Sequence, residues 1–189
     1  MAVNIMPSET GQARLAYRFY PVLVGLLLGL LQTGLFFQLS FTMSSSIATF
    51  LMVTLCWLLG SAIGVYSLGK TRWKSEGFMA LALLAYAACA VLLGLLPFQT
   101  GMWPVYAVLV MLTGFYPGVF FARMAPVYRA RTLFLRENNG FIAGLALGVI
   151  LFMLAGRIAL WAAPLAVAAL LYLIGAPQEN VQPLSPPGA

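Results

Sequence analysis

The stretch that decides the fold runs from Phe19 to Gly69, FYPVLVGLLLGLLQTGLFFQLSFTMSSSIATFLMVTLCWLLGSAIGVYSLG, 51 consecutive residues without one charged side chain. A membrane-spanning helix needs about 20 predominantly apolar residues. The run is therefore long enough for two spans, and Met43-Ser44-Ser45-Ser46 supplies a polar turn between them. Its segments are apolar on every face, whereas a barrel strand would alternate apolar and polar over about ten residues. That excludes the β-barrel.

Outward from this stretch the same arithmetic repeats. Residues 77–122 form a second uncharged run of 46, and Arg157 separates further runs of 19 (138–156) and 21 (158–178). Two, two, one and one make six spans, expected near 20–42, 47–68, 77–96, 104–122, 138–156 and 158–175. Charged residues are only 7% of the chain and hydrophobic ones 62%, against about 25% charged in a soluble domain. The reading is an all-α polytopic membrane protein of six transmembrane helices. It divides into a cytoplasmic N-terminal segment (1–16), a transmembrane domain (17–175) and a Pro-rich cytoplasmic tail (176–189). Gln12–Tyr20 is expected as a short interfacial helix with Tyr17, Phe19 and Tyr20 at headgroup depth. With Glu9 in the would-be basic region and no small-residue cleavage site, the first span is expected to remain as an anchor.

The net charge of +6 would suggest nucleic acid in a soluble protein. Here the basic residues stand only at span ends, which the positive-inside rule explains. With the N-terminus inside, Arg14, Arg18, Lys70, Arg72, Lys74, Arg123, Arg129, Arg131 and Arg136 are all cytoplasmic and only Arg157 is outside. The expectation is a bacterial-type inner membrane, with both termini in the cytoplasm and no nucleic-acid partner. Cys56 and Cys89 fall inside spans, where they read as small packing residues. The chain has no histidine, which removes the usual axial ligand of haem and the commonest zinc or copper ligand. No metal or cofactor is expected, beyond structural lipids.

Helix packing in lipid relies on small residues that let backbones approach. Five GxxxG matches occur: Gly25/Gly29, Gly60/Gly64, Gly114/Gly118, Gly140/Gly144 and Gly144/Gly148. They read as the packing faces of a compact bundle. Spans 1 and 4 carry one match each, spans 2 and 5 the rest, while spans 3 and 6 are alanine-rich and end in Gly94-Leu95-Leu96-Pro97 and Gly175-Ala176-Pro177. Since spans 1–3 start inside and spans 4–6 outside, the pattern predicts an inverted 3+3 repeat.

Three stretches resemble a known family. Gly25 to Gln32, Ser44-Ser45-Ser46 and Leu58 to Gly64 have the spacing of its first two helices, Gly114 to Pro126 is similar to its Gly/Pro-rich fourth, and Asn138-Asn139-Gly140 with Gly144, Gly148 and Gly156 to its fifth. The chain resembles the membrane domain of the membrane-bound spermidine-synthase-like proteins, whose helices are similar to half of a major-facilitator transporter. The resemblance covers most of 20–175. It departs at Gln32, where the family usually has glutamate, near Phe37, where it has arginine, and at Gly69–Lys74, which lacks the facilitator aspartate. The family's cytosolic aminopropyltransferase domain has no counterpart in this sequence.

Gln32 and Gln38, with Thr33 and Thr42 near them, are the most polar side chains within span 1 and read as interhelical contacts or substrate contacts. Asn138 and Asn139 are placed to cap span 5. Arg123, Arg129, Arg131 and Arg136 form a basic connection suited to anionic lipid headgroups or an acidic partner. Glu9, Glu76, Glu137 and Glu179 all read as membrane-edge or tail residues, so no catalytic carboxylate pair is apparent. The expected function is a non-enzymatic subunit or scaffold packed among other membrane subunits through Gly/Ala faces. The alternative is a half-sized facilitator-like transporter of a neutral solute acting as a dimer. An enzyme acting on lipid-soluble substrates is a third class with little support.

Overall fold

The computed structural model describes residues 11–43, 47–67 and 74–175, with side chains from Phe19 onward. The described residues form six long helices: α1 (Gly11–Thr42), α2 (Ile47–Ser67), α3 (Ser75–Leu95), α4 (Trp103–Met124), α5 (Ala130–Ala155) and α6 (Arg157–Ile174). A single 3₁₀ turn, Thr100–Met102, leads into α4. All six are long and apolar enough to cross a membrane. The protein is a helical, multi-pass membrane protein. The serine turn 44–46, the basic residues Lys70 and Arg72 and the Pro-rich tail lie outside the described residues.

Two expected boundaries move. α1 continues without a break from Gly11 through Pro21, so Gln12–Tyr20 is not a separate interfacial helix. A proline removes one N–H but need only bend a helix that neighbours support. The larger change is at the expected basic connection Arg123–Glu137, which shrinks to Ala125–Arg129. Pro126 stops α4, and the N–H groups of Val127 and Tyr128 both donate to the Met124 carbonyl at 3.0 Å. Arg129 then stands as N-cap in extended conformation, and the buried Leu133 holds the new first turns against the bundle. At 1.5 Å per residue, 26 residues of α5 are about 39 Å long, more than the roughly 30 Å hydrocarbon core. Arg131 and Arg136 therefore ride on the helix itself.

At the other end of α5 the chain reverses at Gly156, whose φ of +62° is open to glycine and costly for other residues. That single residue makes the tight turn into α6.

The packing order is not the sequence order. α1 lies chiefly on α5 and α2 on α4, with α3 on α4 and α6 on α1 behind them. α1 is the central helix, with most of its apolar stretch buried, whereas most of α5's is not. The core is Val24, Leu27, Leu28, Leu31, Leu35 and Leu39 of α1 with Tyr106, Val110, Tyr116 and Phe120 of α4. Burying each such side chain is worth about 1.5–3 kcal/mol relative to water, a term that drives insertion. Between spans already in lipid, close packing decides the arrangement.

Candidate functional site

The two principal seams are built by glycine. A Cβ on Gly25 would strike the Glu137 carbonyl and one on Gly29 the Phe141 carbonyl; reciprocally, Gly140 lies on Val22 and Gly144 on Leu26 and Gly29. Across the other seam Gly60 lies on Met111, Gly64 on Phe115, Gly114 on Trp57 and Gly118 on Ser61. Gly148, farther along α5, meets the Thr33 side chain. Contacts ascend together along both helices of each seam, so α1 runs parallel to α5 and α2 parallel to α4.

The seams correspond residue by residue. From α1 to α4 the glycines shift by 89 (114 − 25, 118 − 29), and from α2 to α5 by 80 (140 − 60, 144 − 64). Applied to the contacts, these offsets turn Gly25 on Glu137 into Gly114 on Trp57, Gly29 on Phe141 into Gly118 on Ser61, and Gly140 on Val22 into Gly60 on Met111. Gly144 on Leu26 becomes Gly64 on Phe115 in the same way. The first cleft below sets Leu28 beside Trp57 and Leu58, while farther along Phe36 meets Phe50 at 6.1 Å. α2 therefore descends against α1, and α4, parallel to α2, is inverted relative to α1. This is the packing that an inverted 3+3 repeat requires.

All nine predicted glycines are thus engaged inside the bundle, and none of the nine forms a face toward another subunit. A Cβ would meet nothing within 4 Å at Gly94, Gly101, Gly156 or Gly175.

α2 and α5 are not packed on each other, and two clefts open between them. One, of about 350 Å³, lies toward the α2–α3 end and is lined by residues including Trp57, Leu58, Ser61, Phe121, Glu137 and Asn138. The other, of about 380 Å³, lies toward the opposite end and is lined by residues including Gln32, Thr33, Phe36, Phe37, Thr54 and Val149. Phe141 lines both.

The sequence places Glu137 at the membrane edge; in the structure it sits two turns inside α5 and is only 7% exposed. The cause is the earlier start of α5. The same change moves Asn138 and Asn139 from the cap into the third helical turn. Asn138 lines the first cleft, Asn139 is exposed, and the cap position belongs to Arg129, with no side-chain cap bond. Among the described residues Glu137 has no ion-pair or hydrogen-bond partner.

The two glutamines divide. Gln32 lines the second cleft, whereas Gln38 is buried and its Nε2 donates to Tyr86 Oη at 2.8 Å. Tyr86 Oη in turn donates to the Leu160 carbonyl at 2.6 Å. Leu160 precedes Pro164 by four residues, and Pro164 lies inside α6, so that carbonyl has no intrahelical donor. Tyr86 takes the place of the missing N–H. Span 6's proline signals the orphaned carbonyl in sequence; its partner on α3 does not show.

The four arginines also divide. Arg129 and Arg131 are exposed and open to headgroups or a partner. Arg123, expected with them, is buried, its guanidinium carbon 5.7 Å from the Phe78 ring centre, because α4 carries it inward. Arg136 is half-buried, with Nη1 lacking a partner. Both cysteines are free.

Comparison with family models, with curated proteins and with solved structures finds no match.

Proposed function

We propose that the protein is a non-enzymatic integral membrane subunit that works within a larger helical assembly, its α2–α5 front turned toward the rest of that assembly. One observation supports this above others: Gln32, Thr54, Glu137 and Asn138 line this front. Facing hydrocarbon alone, such groups would lack partners at a cost of kcal/mol each. A covered front removes that cost. The glycines close the internal seams, so contact with other subunits falls to the front. Exposed Arg129 and Arg131 offer a basic contact at the same end as the first cleft.

The nine-to-one basic bias supports a cytoplasmic-type inner membrane with both termini inside. Cysteines placed at Ser45 and Gln99 should label from the outer side, and cysteines at Lys74 and Arg131 should not. Labelling of Lys74 from outside would reverse the orientation.

The assembly reading is tested by crosslinking in native membranes. Single cysteines at Leu58 and Leu145 on the front should join a second polypeptide through a short bifunctional reagent. Cysteines at Leu84 and Leu170, exposed on α3 and α6, should not. Equal crosslinking at front and back, or none anywhere, would defeat the proposal.

The seam correspondence favours a second reading, a half-sized facilitator-like transporter acting as a dimer, with which the spermidine-synthase-like resemblance agrees. It requires the front crosslink to have twice the chain's mass. It also requires the purified protein alone to carry a solute in liposomes, with Gln32→Leu abolishing the flux.

A further inference from the structure

We propose that the cleft at Glu137 binds an alkylammonium group, its charge meeting the carboxylate and its alkyl substituents the aromatic wall of Trp57, Phe121 and Phe141. The lining of the cleft comes from one chain, so the inference does not rest on the assembly, although the cleft opens onto the front proposed to be covered.

The volume, about 350 Å³, lies in the usual range for small-molecule sites, roughly 300–1,000 Å³. Its lining is apolar except for Ser61, Glu137 and Asn138, with no basic side chain. Ser61 Oγ already donates to the Gly114 carbonyl at 2.9 Å. Glu137, more than nine-tenths buried, is left with no partner among the described residues. Arg123 turns away to Phe78.

An intramembrane carboxylate without a counter-charge among the described residues calls for a cation or a proton. A hard metal ion fits poorly, since calcium takes six to eight oxygen ligands and magnesium near-ideal octahedral ones. A proton would neutralise the acid and leave the cleft unfilled. An alkylated ammonium meets both features, because aromatic faces attract such cations as well as packing their alkyl groups.

The repeat sharpens the assignment. By the offsets of the seams, Leu28 and Pro117, Leu58 and Asn138, and Ser61 and Phe141 are related pairs, and all six line this cleft. Trp57 is the counterpart of Glu137. One half of the repeat supplies a carboxylate where the other supplies an indole, so this one cleft holds a single charge facing an aromatic counterpart.

The ammonium could belong to a free solute or to a phosphatidylethanolamine headgroup, and one experiment separates them. The full chain is placed in nanodiscs of phosphatidylglycerol alone, and binding of radiolabelled tetraethylammonium is measured. Saturable binding of one cation per chain is expected, weakened tenfold or more in Glu137→Gln. Triethylcarbinol, similar in size and uncharged, should not displace the label. If discs half of phosphatidylethanolamine weaken the label's binding severalfold, the headgroup is the native occupant; unchanged binding assigns a free solute. Absence of saturable binding, or equal binding by Glu137→Gln, would overturn the proposal. Should Glu137→Gln fail to fold, displacement of the label by triethylcarbinol from the parent protein would overturn it equally.

Discussion

The seams and the front are made from the same four helices, yet they differ in every physical respect. Along α1/α5 and α2/α4, backbone touches backbone because glycine removes the side chains between them. Between α2 and α5, larger side chains leave two clefts, lined in part by polar residues including Gln32, Glu137 and Asn138. Backbone contact holds the seams, with the Ser61 hydroxyl donating across α2/α4 to the Gly114 carbonyl at 2.9 Å; the front is left open, with polar side chains in its clefts. The difference teaches that small residues set how closely the helices of such a bundle approach, while larger side chains leave the clefts in which polar groups stand.

The sharpest way to break this comparison is to put side chains into a seam. Gly144→Leu must displace the Leu26 carbonyl and the Gly29 backbone, neither of which can yield by a rotamer change. We expect a loss of about 3 kcal/mol or more, at the upper end of overpacking effects, read by thermal unfolding in detergent. Gly94→Leu is the matched control: nothing lies within 4 Å of its Cβ, and its stability should move by less than about 0.5 kcal/mol. If both variants melt alike, glycine does not set the seams.

A second test leaves glycine aside. Tyr86→Phe removes the donor to the Leu160 carbonyl and the acceptor for Gln38. About 1–2 kcal/mol of stability should go with it, since buried polar groups are left unsatisfied. Pro164→Ala restores an N–H to that carbonyl, so Tyr86→Phe should cost less in the Pro164→Ala background. An undiminished cost would mean that Tyr86 acts through packing alone.

How much of this was legible in the sequence follows from which forces are local. Six spans and the seam glycines could be read because apolar run length and glycine spacing act along one helix. The start of α5 could not. The charges of 123–137 read as a connection, but Leu133 packs on the bundle and draws Arg131 to Glu137 into the helix, a tertiary effect. That earlier start buries Glu137 and takes the asparagines out of the cap, while α4, running on to Met124, carries Arg123 inward. The packing order α1 on α5 and α2 on α4 is likewise non-local, although the glycine register of both seams was already written in the spacing.

The smallest expected effect on stability is at the front itself. Leu58 lines the first cleft and is 58% exposed, so it has few neighbours to lose. Leu58→Ser should change detergent stability by less than about 0.5 kcal/mol, the usual range for exposed positions away from special features. In the membrane the result should separate. If the front faces only lipid, serine merely adds one polar group at the surface, and nothing else changes. If a second helical body covers it, the substitution removes an apolar contact of that interface. Front crosslinks from Leu145→Cys should then fall severalfold while the melting curve of the isolated bundle stays put. A melting curve that shifts as far as that of Gly144→Leu would mean the front belongs to the bundle's own core, and the contrast between seam and front would disappear.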